Sequence, residues 1–231
     1  MAVQKLFKLT REDRATALDK LIEGASPKPE FYLLLFLSTV ITTLGVILNN
    51  APIVIGGMLV APIISPILSI AMGIVMADFK VLFQSAKVLF FSVILVWVIA
   101  FLISFLALNI EENAELISRA QPSIGYFVVA VAAGIAAAFA FAKPSLSESI
   151  PGIAVTVALL PPLVVVAIAL KMFNLDILAG SLGLFFLNLV GIIFAATMVF
   201  SLMGVYRQRE IAEKKLEKEM EIKQAEKGEI L

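Results

Sequence analysis

Pro52-Ile-Val-Ile-Gly-Gly-Met-Leu-Val-Ala-Pro62 has a counterpart ninety-nine residues later in Pro151-Gly-Ile-Ala-Val-Thr-Val-Ala-Leu-Leu-Pro161. Both stretches are almost wholly apolar, and both are closed by prolines ten residues apart. Each lies inside a longer apolar run, residues 53–77 before Asp78 and Lys80, and residues 150–170 between Glu148 and Lys171. About 17–25 apolar residues suffice for a helix to cross the roughly 30 Å of bilayer hydrocarbon. Each run is therefore expected to be a transmembrane helix, with Pro62 and Pro66, or Pro161 and Pro162, near its middle. Proline there removes a backbone donor and clashes with the preceding turn. In hydrocarbon such a break persists only where protein, water or a ligand satisfies the freed groups.

Working outward from these two runs, four more of similar character appear at residues 31–48, 81–108, 124–142 and 177–206. The expected fold is all-α: a polytopic membrane protein of six transmembrane helices. The Asp78 to Lys80 break and the Asn174 to Asp176 break recur at nearly the same offset as the prolines, so three spans map onto three spans. An odd number of spans per half forces opposite orientations, which makes the arrangement a 3+3 inverted repeat, residues 31–108 and 124–206, with Pro-broken second and fifth helices.

Composition agrees with this class. Of 231 residues, 61% are hydrophobic and 16% charged, with a mean hydropathy of +1.02; soluble domains hold about 45–50% apolar and about 25% charged residues. The absence of cysteine and histidine excludes disulfides, thiol nucleophiles, haem and iron–sulfur ligation and the usual zinc sites. Formal charge is zero, with the charges crowded at the two ends, so nothing points to nucleic acid. With six spans, sixteen of the eighteen basic residues fall on the side shared by both termini. Lys and Arg concentrate in cytoplasmic loops, so a multi-pass protein of the cytoplasmic membrane with both termini inside is expected.

Residues 1–30 carry no apolar signal segment. Thr10 ahead of Arg11-Glu12-Asp13 begins like a capping box, and Ala15, Leu18 and Ile22 follow at helical spacing until Gly24, Pro27 and Pro29. This is a short amphipathic cytoplasmic helix, either packed on the bundle or serving as a surface or regulatory arm. Residues 207–231 form a charged helix or tail, with Glu210/Lys214 and Glu219/Lys223 at i,i+4.

Paired broken helices in two inverted halves are the strongest sequence-level pointer to a solute or ion site near the bilayer midplane. The competing interpretation is a pair of plain proline kinks whose gaps neighbouring helices fill. Under the site interpretation Pro62, Ser65, Pro66, Pro161 and Pro162 line the site, with Asn49, Asn50, Thr156 and Asn188 as polar contacts. Glu148 is either an acid matched to the dipole of the fifth helix or a cation or proton group at the cytoplasmic mouth. Ser38, Thr39, Thr42 and Thr43 form a hydroxyl stripe suited to a helix–helix contact or to a pathway. Ala130, Gly134, Ala138 and Ala142, spaced by four, mark a helix interface within one subunit or between subunits. No catalytic motif occurs, so no enzymatic activity, cofactor or metal is expected, and a homo-oligomer in the lipid bilayer is.

Val54-Ile55-Gly56-Gly57-Met58-Leu59-Val60-Ala61-Pro62 with Pro66, Pro151-Gly152-Ile153-Ala154-Val155 through Ala158-Leu159-Leu160-Pro161-Pro162, and Asn188-Leu189-Val190-Gly191 resemble the prokaryotic domain-of-unknown-function family 389. The resemblance implies a cytoplasmic-membrane protein of uncharacterised activity and transfers no catalytic residues. Many members carry a longer soluble domain before the first span, where this chain has about thirty residues. Two functions follow: a transporter or channel-like protein for a small solute or ion, or a non-transporting scaffold or sensor acting through oligomerisation.

Overall fold

A computed structural model describes residues 10, 13, 17, 20, 24, 28–107, 110–143, 145–146 and 159–205. Glu148, Thr156, Pro151 and the 207–231 tail lie outside the described residues. Within them the regular structure is helical, with no strand. The helices are α1 Pro29–Ile47, α2 Ala51–Val60, α3 Ile64–Val75, α4 Phe79–Ser104, α5 Ala114–Ser118, α6 Ile124–Ala142, α7 Leu160–Met172 and α8 Leu175–Leu202.

Three tight turns share one construction. Asn49, Ala77 and Phe173 adopt left-handed φ values of 51°, 50° and 54°, a region that non-glycine residues enter infrequently. In each turn the next amide reaches back five residues, Asn50 to Gly45 O at 2.9 Å, Asp78 to Gly73 O at 3.0 Å and Asn174 to Ala169 O at 3.1 Å. That is the Schellman closure of a helix C-terminus. The same Asn or Asp then caps the following helix, accepting from Ile53 N–H, from Lys80 and Val81 N–H, or from Ile177 N–H. Two residues therefore stop one helix and start its antiparallel neighbour.

Asn49, Asn113, Lys171 and Asn174 gather the turns at one end of the bundle. Asn113 Nδ2 donates to Val46 O at 3.0 Å, and Glu115 N–H donates to Asn49 Oδ1 at 3.1 Å. Asn174 Nδ2 donates to Glu112 Oε1 at 2.8 Å. Lys171 Nζ donates to Ser104 O and Ala107 O, just past the C-terminus of α4, where a cation complements the helix dipole. The opposite end carries Asp78, Lys80 and Lys143.

α1, α4, α6 and α8 are each long and apolar enough to cross a bilayer, and the pair α2–α3, bent by 52°, makes a fifth candidate if it counts as one span. α7 has 13 residues, about 20 Å of helix, which is short of the roughly 30 Å hydrocarbon core. The apolar helices make this a membrane protein. Large apolar side chains on α4, among them Phe83, Phe90, Phe91 and Leu102, point outward, as lipid-facing surface requires.

α7 is the centre of the bundle. Residues 160–169 are buried at every position, as for a helix enclosed all round. It packs on α1, α4 and α8 and touches α2. α3 packs on α4 and α8, α1 on α2 and α4, and α6 on α8. The closest crossings are made at glycines. A Cβ on Gly134 would lie 2.9 Å from Ile192 Cα, and one on Gly57 would lie 2.9 Å from Thr42 N. The small-residue row of α6 thus faces α8 of the same chain.

Candidate functional site

The sequence around Pro62 dictates the break. The ring of a proline disfavours helical geometry in the residue before it, and Ala61 is accordingly extended at φ −68°, ψ 120°. α2 therefore ends at Val60, and α3 starts at Ile64 after a 52° bend. Across the gap the backbone makes long i,i−3 contacts, Ala61 N–H to Met58 O and Ser65 N–H to Pro62 O, both 3.3 Å. The last carbonyls of α2 and the first amides of α3 have no partner within their own helices.

α2, α4, α5, α6 and α8 each begin with an Asn, Asp or Ser side chain that accepts from a first-turn amide. α3 and α7 begin at Ile63 and Leu159 with no side-chain cap, and both of these N-cap residues are buried. A buried helix start without a cap needs some other acceptor. Pro66 is the third residue of α3, and Pro161 and Pro162 are the second and third of α7. At first-turn positions proline removes an amide that would have been unpaired anyway. Among the described residues Pro62 interrupts a helix pair, while Pro66, Pro161 and Pro162 sit in first turns, where they reduce the number of orphan donors.

Pro62 and Ser65 are half-buried, and Pro66, Pro161 and Pro162 are buried. Asn188, 2% exposed, lies inside α8. Asn49 and Asn50 build the turn between α1 and α2, and α2 separates Asn50 from the break by ten residues, or about 15 Å. Near them the Asn174 end holds an open pocket of about 330 Å³ lined by Glu112, Gln121, Asn174 and Asp176. The hydroxyl stripe on α1 is spent mostly within its own helix: Ser38 and Thr39 donate to Leu35 O, and Thr43 to Thr39 O. Thr42 is fully buried against Gly57, and its hydroxyl has no hydrogen-bond partner. Ser85 Oγ on α4 is in the same condition. Ser85 sits between Gln84 and Ala86, with Lys87 close by, so nothing in the local sequence marks it as a buried residue.

The buried polar side chains among the described residues are serine, threonine and asparagine only. Such an interior offers dipoles and no fixed charge. Residues 58–194, from the end of α2 through most of α8, match the family described as a domain of unknown function, DUF389. The chain belongs to this family. An uncharacterised protein of Methanocaldococcus jannaschii is 27% identical to the DUF389 chain over 182 residues, covering 78% of this chain. The chain spans 56% of that relative's length. No solved structure matches.

Proposed function

We propose that this DUF389 chain is a six-span inverted-repeat transporter or channel-like protein of the cytoplasmic membrane, with both termini inside. It carries a small neutral solute or monovalent ion past the α2–α3 break and performs no covalent chemistry. The observation that carries this reading is the pairing of two uncapped, buried helix starts, at Ile63 and Leu159, with a true interruption at Pro62. Half-helix ends inside a bundle are where inverted-repeat transporters hold substrates and coupling ions.

The burial pattern supports the repeat. Adding 95 to each of the seven buried positions of α1 gives a buried position of α6 every time. Adding 96 does the same for all nine buried positions of α3 on α7, and for all eight of α4 on α8. Buried polar residues correspond as well, Ser85 with Ser181 and Ser92 with Asn188. Exchanging α1 with α6, α3 with α7 and α4 with α8 turns every contacting pair among these six helices into another contacting pair. By this register Pro66 is the counterpart of Pro162, and the ninety-nine-residue proline frame is three residues out of step.

Divalent cations are held by several oxygen ligands, usually including carboxylates, and an interior whose buried polar side chains among the described residues are all uncharged favours neutral or singly charged cargo. The test is flux into proteoliposomes across a panel of small neutral solutes and monovalent ions. At least one should cross faster than in protein-free vesicles, and a small thiol reagent allowed to react to completion with Ser65→Cys, however slowly, should cut that flux about tenfold, as loss of a roughly 1.4 kcal/mol transition-state advantage does. No protein-dependent flux for any member, with the Ser65→Cys thiol unreactive from both faces, contradicts the proposal.

A further inference from the structure

The repeat leaves one groove unequal. α1 packs along α7, whereas the corresponding pair, α6 and α3, meets at only a few points. The N-terminal segment touches both walls of that wider groove. Gly24 is buried, and a Cβ there would collide with Ser69 Oγ and lie 2.8 Å from Ser65 O, both on α3. Lys20 Nζ donates to Ala140 O at 3.3 Å and Phe141 O at 3.4 Å, at the C-terminal end of α6. It also stands 5.8 Å from the centre of the Phe141 ring. Ala17, one turn before Lys20, is 2% exposed, and Thr10 and Asp13 exchange the two hydrogen bonds of a capping box at 2.7 and 3.1 Å.

Depth gives this contact its meaning. Ser65 lies ten residues from Val75, the end of α3 on the Asp78 side, which is about 15 Å along the helix and so roughly halfway through the hydrocarbon. Gly24 therefore reaches the level of the break. Glycine suits a backbone-to-backbone approach of this kind, and Lys20 holds the arm by its charge against the carbonyl end of the α6 dipole.

We infer that Lys20 and Gly24 act as a plug: bridging α6 and α3 on the Asp78 face, they bar access to the break at Ser65. The inference rests on the pathway reading and supplies its regulation. In an inverted repeat the two faces open alternately, and here the α1–α7 side is closed by direct packing while the α3–α6 side is closed by the arm. Anything that withdraws Lys20 and Gly24 opens the Asp78 face without rearranging the bundle.

The chain has no native cysteine, so Ser65→Cys reports access cleanly. Full-length protein in vesicles of known orientation is treated on the Asp78 side with a small membrane-impermeant thiol reagent, in the otherwise unaltered chain, with Gly24→Trp and with Lys20→Ala. Tryptophan cannot fit against Ser65 and Ser69, and alanine removes the hold on α6 without adding bulk, so a folding failure of the first leaves the second as the readout. Labelling should be slow in the intact arm and at least about tenfold faster in either variant, the change expected when a local closed state loses roughly 1.4 kcal/mol. Flux of any transported solute should rise in parallel. Equal labelling with and without the arm substitutions overturns the plug and leaves the pathway standing. No labelling in any variant, with flux present, also overturns the plug alone. No labelling and no flux in all three removes the pathway and the plug together.

Discussion

Gly134→Leu lowers the unfolding midpoint of the purified protein by about 10 °C or prevents recovery of folded material. Helix association in a bilayer draws little from the hydrophobic effect and depends on close packing of small residues. At this crossing a Cβ meets Ile192 Cα at 2.9 Å and both Ile192 O and Ala195 Cβ at 3.0 Å. Two of these are backbone atoms, which no rotamer change can move, so α8 itself must shift. Overpacking costs about 1–3 kcal/mol where side chains can yield, and each kcal/mol is worth about 2–4 °C in a chain of this size. Gly56→Leu is the control. Gly56 is helical, and a Cβ added there would meet nothing within 4 Å, so the midpoint should stay within about 2 °C, surface changes usually being below roughly 0.5 kcal/mol. Differential scanning fluorimetry on both proteins in one detergent decides the matter.

Pro62→Ala has the largest expected effect on function. Alanine restores the amide and frees Ala61 from its extended geometry, so α2 and α3 can join into a straighter helix whose own carbonyls accept the amides at Ile63 and Ile64. Flux, and thiol access at Ser65→Cys in the presence of Lys20→Ala, should fall about tenfold or more, as expected when a bound-state geometry worth roughly 1.4 kcal/mol is lost. Pro66→Ala should behave differently. In the first turn of α3 the new amide has no acceptor within the helix, so stability should fall by about 1–3 kcal/mol, the cost of an unsatisfied buried donor, while the bend and the flux persist. If Pro66→Ala abolishes flux and Pro62→Ala does not, the site has been put at the wrong proline.

Much of this architecture is legible in the residues. The apolar runs mark α1, α4, α6 and α8, the Asp78 and Asn174 breaks mark caps, and the spacing of Ala130, Gly134 and Ala138 marks a crossing now seen to be with α8. Pro62 gives the interruption. Under the proposed repeat the register of the halves is harder to read, because proline serves both as a helix breaker and as a first-turn residue. Pro62 precedes the helix start at Ile64 whereas Pro161 follows the one at Leu160, a difference of placement that the spacing of the prolines does not show. Asn49 and Asn50 look like ligands by chemistry and act as turn formers by geometry, since an amide side chain after a left-handed residue is also a good cap. The seating of Gly24 was illegible for a similar reason: a glycine at the end of an amphipathic stretch reads the same whether it merely stops that stretch or approaches another helix, and only its contact with Ser65 and Ser69 distinguishes the two.

The α2–α3 junction is a real gap in the backbone ladder of an apolar helix pair, and amide hydrogen exchange of the protein in lipid nanodiscs tests this most directly. The amides of Ile63 and Ile64 should exchange at least about a hundredfold faster than those of Val54 and Met58 on one side and Ile70 and Met72 on the other, a difference of roughly 2.7 kcal/mol in opening free energy. Uniform protection from Val54 through Met72 would mean a continuous helix, and the proposed site would have no structural basis.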